Sequence, residues 1–104
     1  MARFDVYANP VARERRTTPF FLDVQNDFLG SLATRVMIPL RRETEFGTLA
    51  NRLNPLVQVD DEALVLDTAG IGAVPLNLLK RPVVNLRAQR DEITTALDTL
   101  FGAY

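Results

Sequence analysis

The chain contains no histidine and no cysteine, so any chemistry it performs must run on carboxylates, hydroxyls and arginines. That excludes a Ser-His-Asp triad, a thiolate nucleophile, an imidazole or thiolate zinc site and a disulfide framework. Two charged clusters remain to be weighed. Arg13-Glu14-Arg15-Arg16 is basic, but a single such run on a chain of net charge -1 supplies few phosphate contacts, and a solvated loop accounts for it. Asp60-Asp61-Glu62 has no metal-ligating partner nearby in sequence and carries the turn chemistry of a hairpin. The sharpest candidate is the end of the chain, Phe101-Gly102-Ala103-Tyr104. Gly102 would stop a helix in the left-handed conformation that a Cβ disfavours, leaving Ala103 and Tyr104 projecting from a rigid end. Fraying of the last residues is the plain alternative. No cofactor is expected.

The elements that position these groups must come from a short chain. Its 104 residues, 47% hydrophobic and 24% charged, have room for one domain with a modest core. At that size a monomer is marginal, and a homodimer would bury further apolar surface. The basic residues are almost all arginine, with Lys80 the single lysine. No signal-peptide-like stretch and no membrane-length apolar run occurs, which predicts a soluble, cytoplasmic protein without membrane association.

Alternation of apolar and polar residues predicts a strand over Arg3–Tyr7, ended by Asn9-Pro10, and a second over Phe20–Gln25 with Phe20, Leu22 and Val24 on one face. Val11–Pro19 reads as a mobile basic loop and Asn26–Ala33 as another loop. Arg35–Leu40 reads as a strand that Pro39 places at an edge or bulge. Arg41–Asn54 is compatible with a short helix, against which Gly47 counts. Leu56–Val59 and Ala63–Asp67 form a hairpin. Ala69–Val74 is a glycine-interrupted strand, and Leu76–Val84 is a connection. The spacing of Leu86, Ile93, Ala96, Leu97, Leu100 and Phe101 predicts a helix over Asn85–Phe101, with Asn85 as N-cap and Arg87 paired to Asp91. Several short strands and one terminal helix make an α+β domain.

Several of these pieces also occur in order at a recognisable spacing. They are Phe4-Asp5-Val6-Tyr7, Phe21-Leu22-Asp23-Val24-Gln25-Asn26-Asp27-Phe28-Leu29 and Thr34-Arg35-Val36-Met37-Ile38-Pro39-Leu40. Leu53-Asn54-Pro55, Ile71-Gly72-Ala73-Val74-Pro75 and Arg90-Asp91-Glu92-Ile93 complete the series. Over nearly its whole length the chain resembles the CcdB family of toxins, which poison bacterial DNA gyrase. The resemblance implies an SH3-like barrel sheet carrying a C-terminal helix, in a symmetric homodimer. It implies that the toxin binds the gyrase A subunit in its open, DNA-cleaved state and blocks religation without chemistry of its own. A CcdA-like antitoxin would neutralise it, and operator DNA would be contacted only through that antitoxin.

Carried over by position, the gyrase-facing residues are Gly102, Ala103 and Tyr104 at the tail, with Phe101, Asp98 and Thr95 on the helix and Asn26, Phe28 and Leu29 in the loop. The antitoxin-facing residues are Tyr7, Arg13, Arg15, Arg16 and Arg42. The tail departs from the family pattern of an aromatic or small residue, then glycine, then an aliphatic terminus. The chain has no tryptophan, and Tyr104 stands in place of the terminal aliphatic residue. Two rival functions follow. One is a degenerate paralogue that folds and binds antitoxin but spares gyrase. The other is a barrel-type endoribonuclease toxin, whose relatives cut messenger RNA with arginine and threonine or aspartate; here Arg16-Thr17-Thr18 would serve.

Overall fold

Alternating apolar residues, chiefly valine and leucine, generate most of the chain's regular structure. The computed structural model describes residues 1–102. The strands are β1 (Asp5–Ala8), β2 (Phe20–Asp23), β3 (Thr34–Arg42), β4 (Leu56–Val59), β5 (Glu62–Leu66), β6 (Gly72–Pro75) and β7 (Val84–Asn85), followed by one helix, α1 (Arg90–Phe101). They pair antiparallel in the order β4-β5-β3-β2-β1-β7, with β6 added on β3, to give a nearly closed, barrel-like sheet. This is the α+β domain that the sequence pattern predicts, and the SH3-like barrel with a C-terminal helix that the family resemblance implies.

The predicted hairpin is present. Val59 pairs with Glu62 across the two-residue turn Asp60-Asp61, where Asp60 takes the left-handed conformation (φ 54) that Asp tolerates better than most residues. The third strand is longer than predicted and lies inside the sheet rather than at its edge. Its second edge is handed from β6, which pairs with Thr34–Met37, to β5, which pairs with Leu40–Arg42. Pro39 sits at that handover. Val24 N–H donates to the Val36 carbonyl at 3.0 Å, and the alternation of the β2–β3 ladder then turns the missing Pro39 N–H away from β2. The Pro39 carbonyl on that side accepts from Asp67 N–H at 3.0 Å. A proline is tolerated because the gap between β6 and β5 asks for no donor there.

The core occupies one face of the sheet: Val6, Leu22, Ile38, Leu40, Val57, Leu64 and Leu66, all fully buried, closed over by Ile93 and Ala96 of α1. Burying Ile93 contributes about 2 kcal/mol. Phe4 turns its ring into this core from a left-handed backbone (φ 75), pinned by its N–H to the Asp23 carbonyl at 2.7 Å. On β1 both faces are covered, so Asp5 and Tyr7, expected on the solvent side of a half-buried strand, are buried as well.

The helix starts later than predicted. Residues Arg87–Gln89 form a 3-10 turn, and Asn85 belongs to β7; its side chain accepts from Arg87 N–H at 2.9 Å and so caps that turn rather than α1. The changed helical phase leaves Arg87 and Asp91 without the predicted ion pair. At the other end the prediction holds: Gly102 caps α1 in the left-handed region (φ 71), its N–H on the Asp98 carbonyl. The apolar stripe buries only its first half. Leu97 and Leu100 are half-buried, and Phe101 is 68% exposed rather than packed.

Two segments differ from expectation. Arg41-Arg42 extends β3, and Glu43–Glu45 is a 3-10 turn, so no helix forms over 41–54. The basic 11–19 segment folds back on buried Asn9. The Asn9 side chain donates to the Thr18 carbonyl at 2.9 Å and accepts from Val11 N–H at 2.9 Å, while Arg15 Nε donates to the Asn9 carbonyl at 2.6 Å.

Candidate functional site

The loop between β2 and β3 is built around a buried ion pair. Asp23 ends β2 on the face opposite the apolar core, and Arg35 rises from β3 on the same face. Arg35 Nε donates to Asp23 Oδ2 at 2.8 Å and a terminal nitrogen donates to Oδ1 at 3.0 Å, with both side chains sealed from solvent. The bidentate contact is that of an ionised pair. Burial works against the Arg35 charge, but the Asp23 bonds, with Asp27 behind them, outweigh it and hold its pKa above the ordinary arginine value. Burial pushes the Asp23 carboxyl up, against the pull of Arg35 and of Gln25 N–H at 3.0 Å. Beside them, burial first and then the charges of Asp5 and Asp23 push the Tyr7 hydroxyl up to about 12.

From this pair the loop is fixed outward. Gln25 bridges it, donating to the Leu29 carbonyl at 3.0 Å and accepting from Val36 N–H at 2.9 Å. Asp27 accepts from Arg3 N–H at 2.8 Å and lies 3.6 Å from Arg35. Asn26 caps the 3-10 turn Asp27–Leu29, its side chain accepting from Phe28 N–H at 3.0 Å. The outcome is an aromatic side chain, Phe28, 97% exposed on a turn held from three sides, with Leu29 half-exposed next to it. A displayed ring on a fixed turn has little freedom left to lose on binding, which favours a contact role.

Helix α1 supplies the second half of the site. Thr95 is exposed and lines, with Asp27 and Arg3, a depression of about 620 Å³, so the loop and the helix meet there. Asp98 is half-buried one turn further on. Phe101 and Gly102 end the helix in solvent, about 10 Å along its axis from Thr95. Ala103 and Tyr104 lie outside the described residues.

The residues carried over as antitoxin-facing divide. Arg13, Arg15 and Arg16 are exposed. Arg42 is half-buried and ties the basic loop to the sheet, donating through Nε to the Arg16 carbonyl at 2.9 Å and pairing with Glu62. Tyr7 is only 1% exposed and is a core residue, so its side chain offers no surface. In the Arg16-Thr17-Thr18 group, Arg16 lies 3.6 Å from Glu45 at the surface, and the Thr17 hydroxyl donates to the Glu14 carbonyl at 3.2 Å. Among the described residues no cluster of carboxylates is placed to hold a metal ion, and no helix is long and apolar enough to cross a membrane.

The Asp23–Arg35 pair was not singled out from the sequence. The available signal was an aspartate inside the apolar run Phe20–Val24, facing an arginine on the next strand with the same parity.

The structure is a barrel-like sheet with one helix, displaying a fixed aromatic turn and a glycine-capped helix end. Residues 3–102 match the family model described as CcdB protein. The chain therefore belongs to the CcdB family, whose members are gyrase-poisoning toxins of toxin–antitoxin pairs rather than enzymes.

Proposed function

We propose that this chain is the toxin of a type II toxin–antitoxin pair. It binds the A subunit of DNA gyrase through the Phe28 turn and the end of α1, and traps the cleaved gyrase–DNA complex. The observation that carries this is Phe28: nearly full exposure of a ring on a hydrogen-bonded turn, in a chain of this family. The protein works as a cytoplasmic homodimer. In support, Val36 and Ala73 pair across β3 and β6 with both side chains exposed, and Phe101 adds a third exposed apolar group. A CcdA-like antitoxin covers the surface that carries Arg13, Arg15 and Arg16, its acidic residues drawn to their charge, and brings operator DNA to the complex.

The gyrase contacts are Asn26, Phe28, Leu29, Thr95, Asp98, Phe101 and Gly102, with Ala103 and Tyr104 beyond. Gly102→Arg places a charge where the helix end would enter a closed interface, and an unpaired buried charge costs about 3–5 kcal/mol. Pulldown with the gyrase A subunit, alongside growth arrest on induction, tests this. Gly102→Arg and Phe28→Ser are expected to lose both while keeping the fold and antitoxin binding. Wild-type protein that binds antitoxin but not gyrase would identify a non-poisoning paralogue. Full toxicity of Gly102→Arg, with loss of toxicity on changing Arg13, Arg15 or Arg16, would move the function to RNA cleavage.

A further inference from the structure

The depression beside Thr95 carries a charge imbalance. Arg3, Arg87 and Arg90 line it, together with Thr94, Asp27 and Asp91. Among the described residues none of these three arginines has a carboxylate within ion-pairing distance, although other arginines of the chain do. Arg3 spends Nε on the Val24 carbonyl at 3.2 Å, and Arg90 spends one terminal nitrogen on the Arg87 carbonyl at 3.2 Å. These bonds orient the two groups and leave their other donors open. Asp27 is already engaged by Arg3 N–H at 2.8 Å and by Arg35 at 3.6 Å. Asp91 stays apart from Arg87 because Arg87 sits in the 3-10 turn before the helix.

Three arginines thus share the depression with two carboxylates, Asp27 and Asp91, a surplus of one positive charge on a chain whose net charge is -1. The start of α1 adds its positive end to the same place. One arginine fork satisfies a carboxylate, whereas a phosphate offers more oxygens and up to two charges, enough for several forks. At about 620 Å³ the space exceeds what the ion alone needs and leaves room for an attached organic group. We propose that this depression binds a phosphate group, held by Arg3, Arg87 and Arg90 with the Thr94 and Thr95 hydroxyls as neutral donors. The site is present in the isolated chain.

The test is a two-dimensional NMR titration of the full chain with inorganic phosphate, against chloride at matched ionic strength. The arginine Nε–H signals and the Thr94 and Thr95 amides are followed. Saturable shifts at these positions are expected, weakened at least tenfold in Arg87→Ala/Arg90→Ala and unchanged in Arg13→Ala/Arg16→Ala. All four positions are exposed, and an unchanged amide spectrum elsewhere confirms that each variant folds. A 5′-phosphorylated oligonucleotide and its unphosphorylated twin distinguish the source. Preference for the former marks a terminal phosphate, equal and tighter binding of both marks backbone phosphates, and binding of inorganic phosphate alone marks a small ligand. Shifts that do not saturate, that chloride reproduces, or that survive in Arg87→Ala/Arg90→Ala would overturn the proposal. So would tighter binding of a glutamate-rich peptide than of phosphate at equal charge.

Discussion

Replacing Arg35 by methionine tests whether the buried pair holds the Phe28 turn. The substitution keeps most of the side chain's volume but strands Asp23, which is 0% exposed and retains only Gln25 N–H as a donor. An uncompensated buried carboxylate protonates instead of remaining charged, and that sets a ceiling on the cost. From an ordinary value of 3.8, taking up a proton at pH 7 costs about 4.4 kcal/mol, at about 1.4 kcal/mol per unit. At pH 5 the same step costs about 1.6 kcal/mol. The folded variant carries Asp23 with a raised pKa, so its penalty shrinks as pH falls toward the unfolded value. With a urea slope of about 1.5 kcal/mol per molar, the unfolding midpoint should drop by about 3 M at pH 7 and about 1 M at pH 5. Asp23→Leu/Arg35→Met removes both charges and should recover to within about 2 kcal/mol of the parent, losing mainly the bonds to Gln25. Amide hydrogen exchange at Phe28 and Leu29 should quicken in both variants, because the pair anchors Gln25 and Asp27. A pH-independent loss below about 1 kcal/mol, with exchange at Phe28 unaltered, would refute the anchoring role.

Two further outcomes follow from the same geometry. Tyr7, with its hydroxyl pushed from 10.0 to about 12, binds its proton more tightly folded than unfolded, so its contribution is complete below pH 10 and is lost as pH rises toward 12. Stability should fall by about 1.4 kcal/mol at pH 11, read by urea unfolding, and Tyr104→Phe leaves Tyr7 as the sole phenolate absorbance to follow. Gly102→Ala meets nothing within 4 Å of the new Cβ, so only the left-handed backbone (φ 71) is penalised. A cost of about 1 kcal/mol is expected, seen as a melting temperature lower by a few degrees.

Local patterns announced the elements whose fate is decided locally. The alternation around Val6 and Leu22, the acidic turn at Asp60-Asp61 and the glycine stop at Gly102 each appear where the sequence places them. What was misread depended on partners distant in the chain. Asn85 has the chemistry of a helix cap, but pairing of Val84 and Asn85 with β1 takes it into the sheet and delays α1 by a 3-10 turn. Pro39 is an edge signal only if both neighbours are continuous strands, and here two strands share one edge. Arg41 and Arg42 look too polar for a strand yet pair with Val65 and Leu64. The candidate turn at Phe28 was legible through its family motif. The pair that fixes it was not, because a charged residue at a strand position ordinarily points outward, and only the packing of both sheet faces shows Arg35 pointing in.

The place of β1 in the sheet also governs when the chain can finish folding. One edge of β1 is taken by β2, but the other waits for residues near the end: Val83 N–H bonds the Val6 carbonyl and Leu86 N–H the Phe4 carbonyl, both at 2.8 Å. Asn85 closes the same seam on Asp5, 80 residues away in sequence. During synthesis at about 5–20 residues per second, that edge stays open for about 4–16 s after β1 is made. Refolding of the complete chain carries the same long closure and should fall on the slow, millisecond-to-second side of small domains. Until that closure the strands already made carry β1 as an unpaired edge, the form in which a nascent chain is most open to pairing with a strand that is not its own.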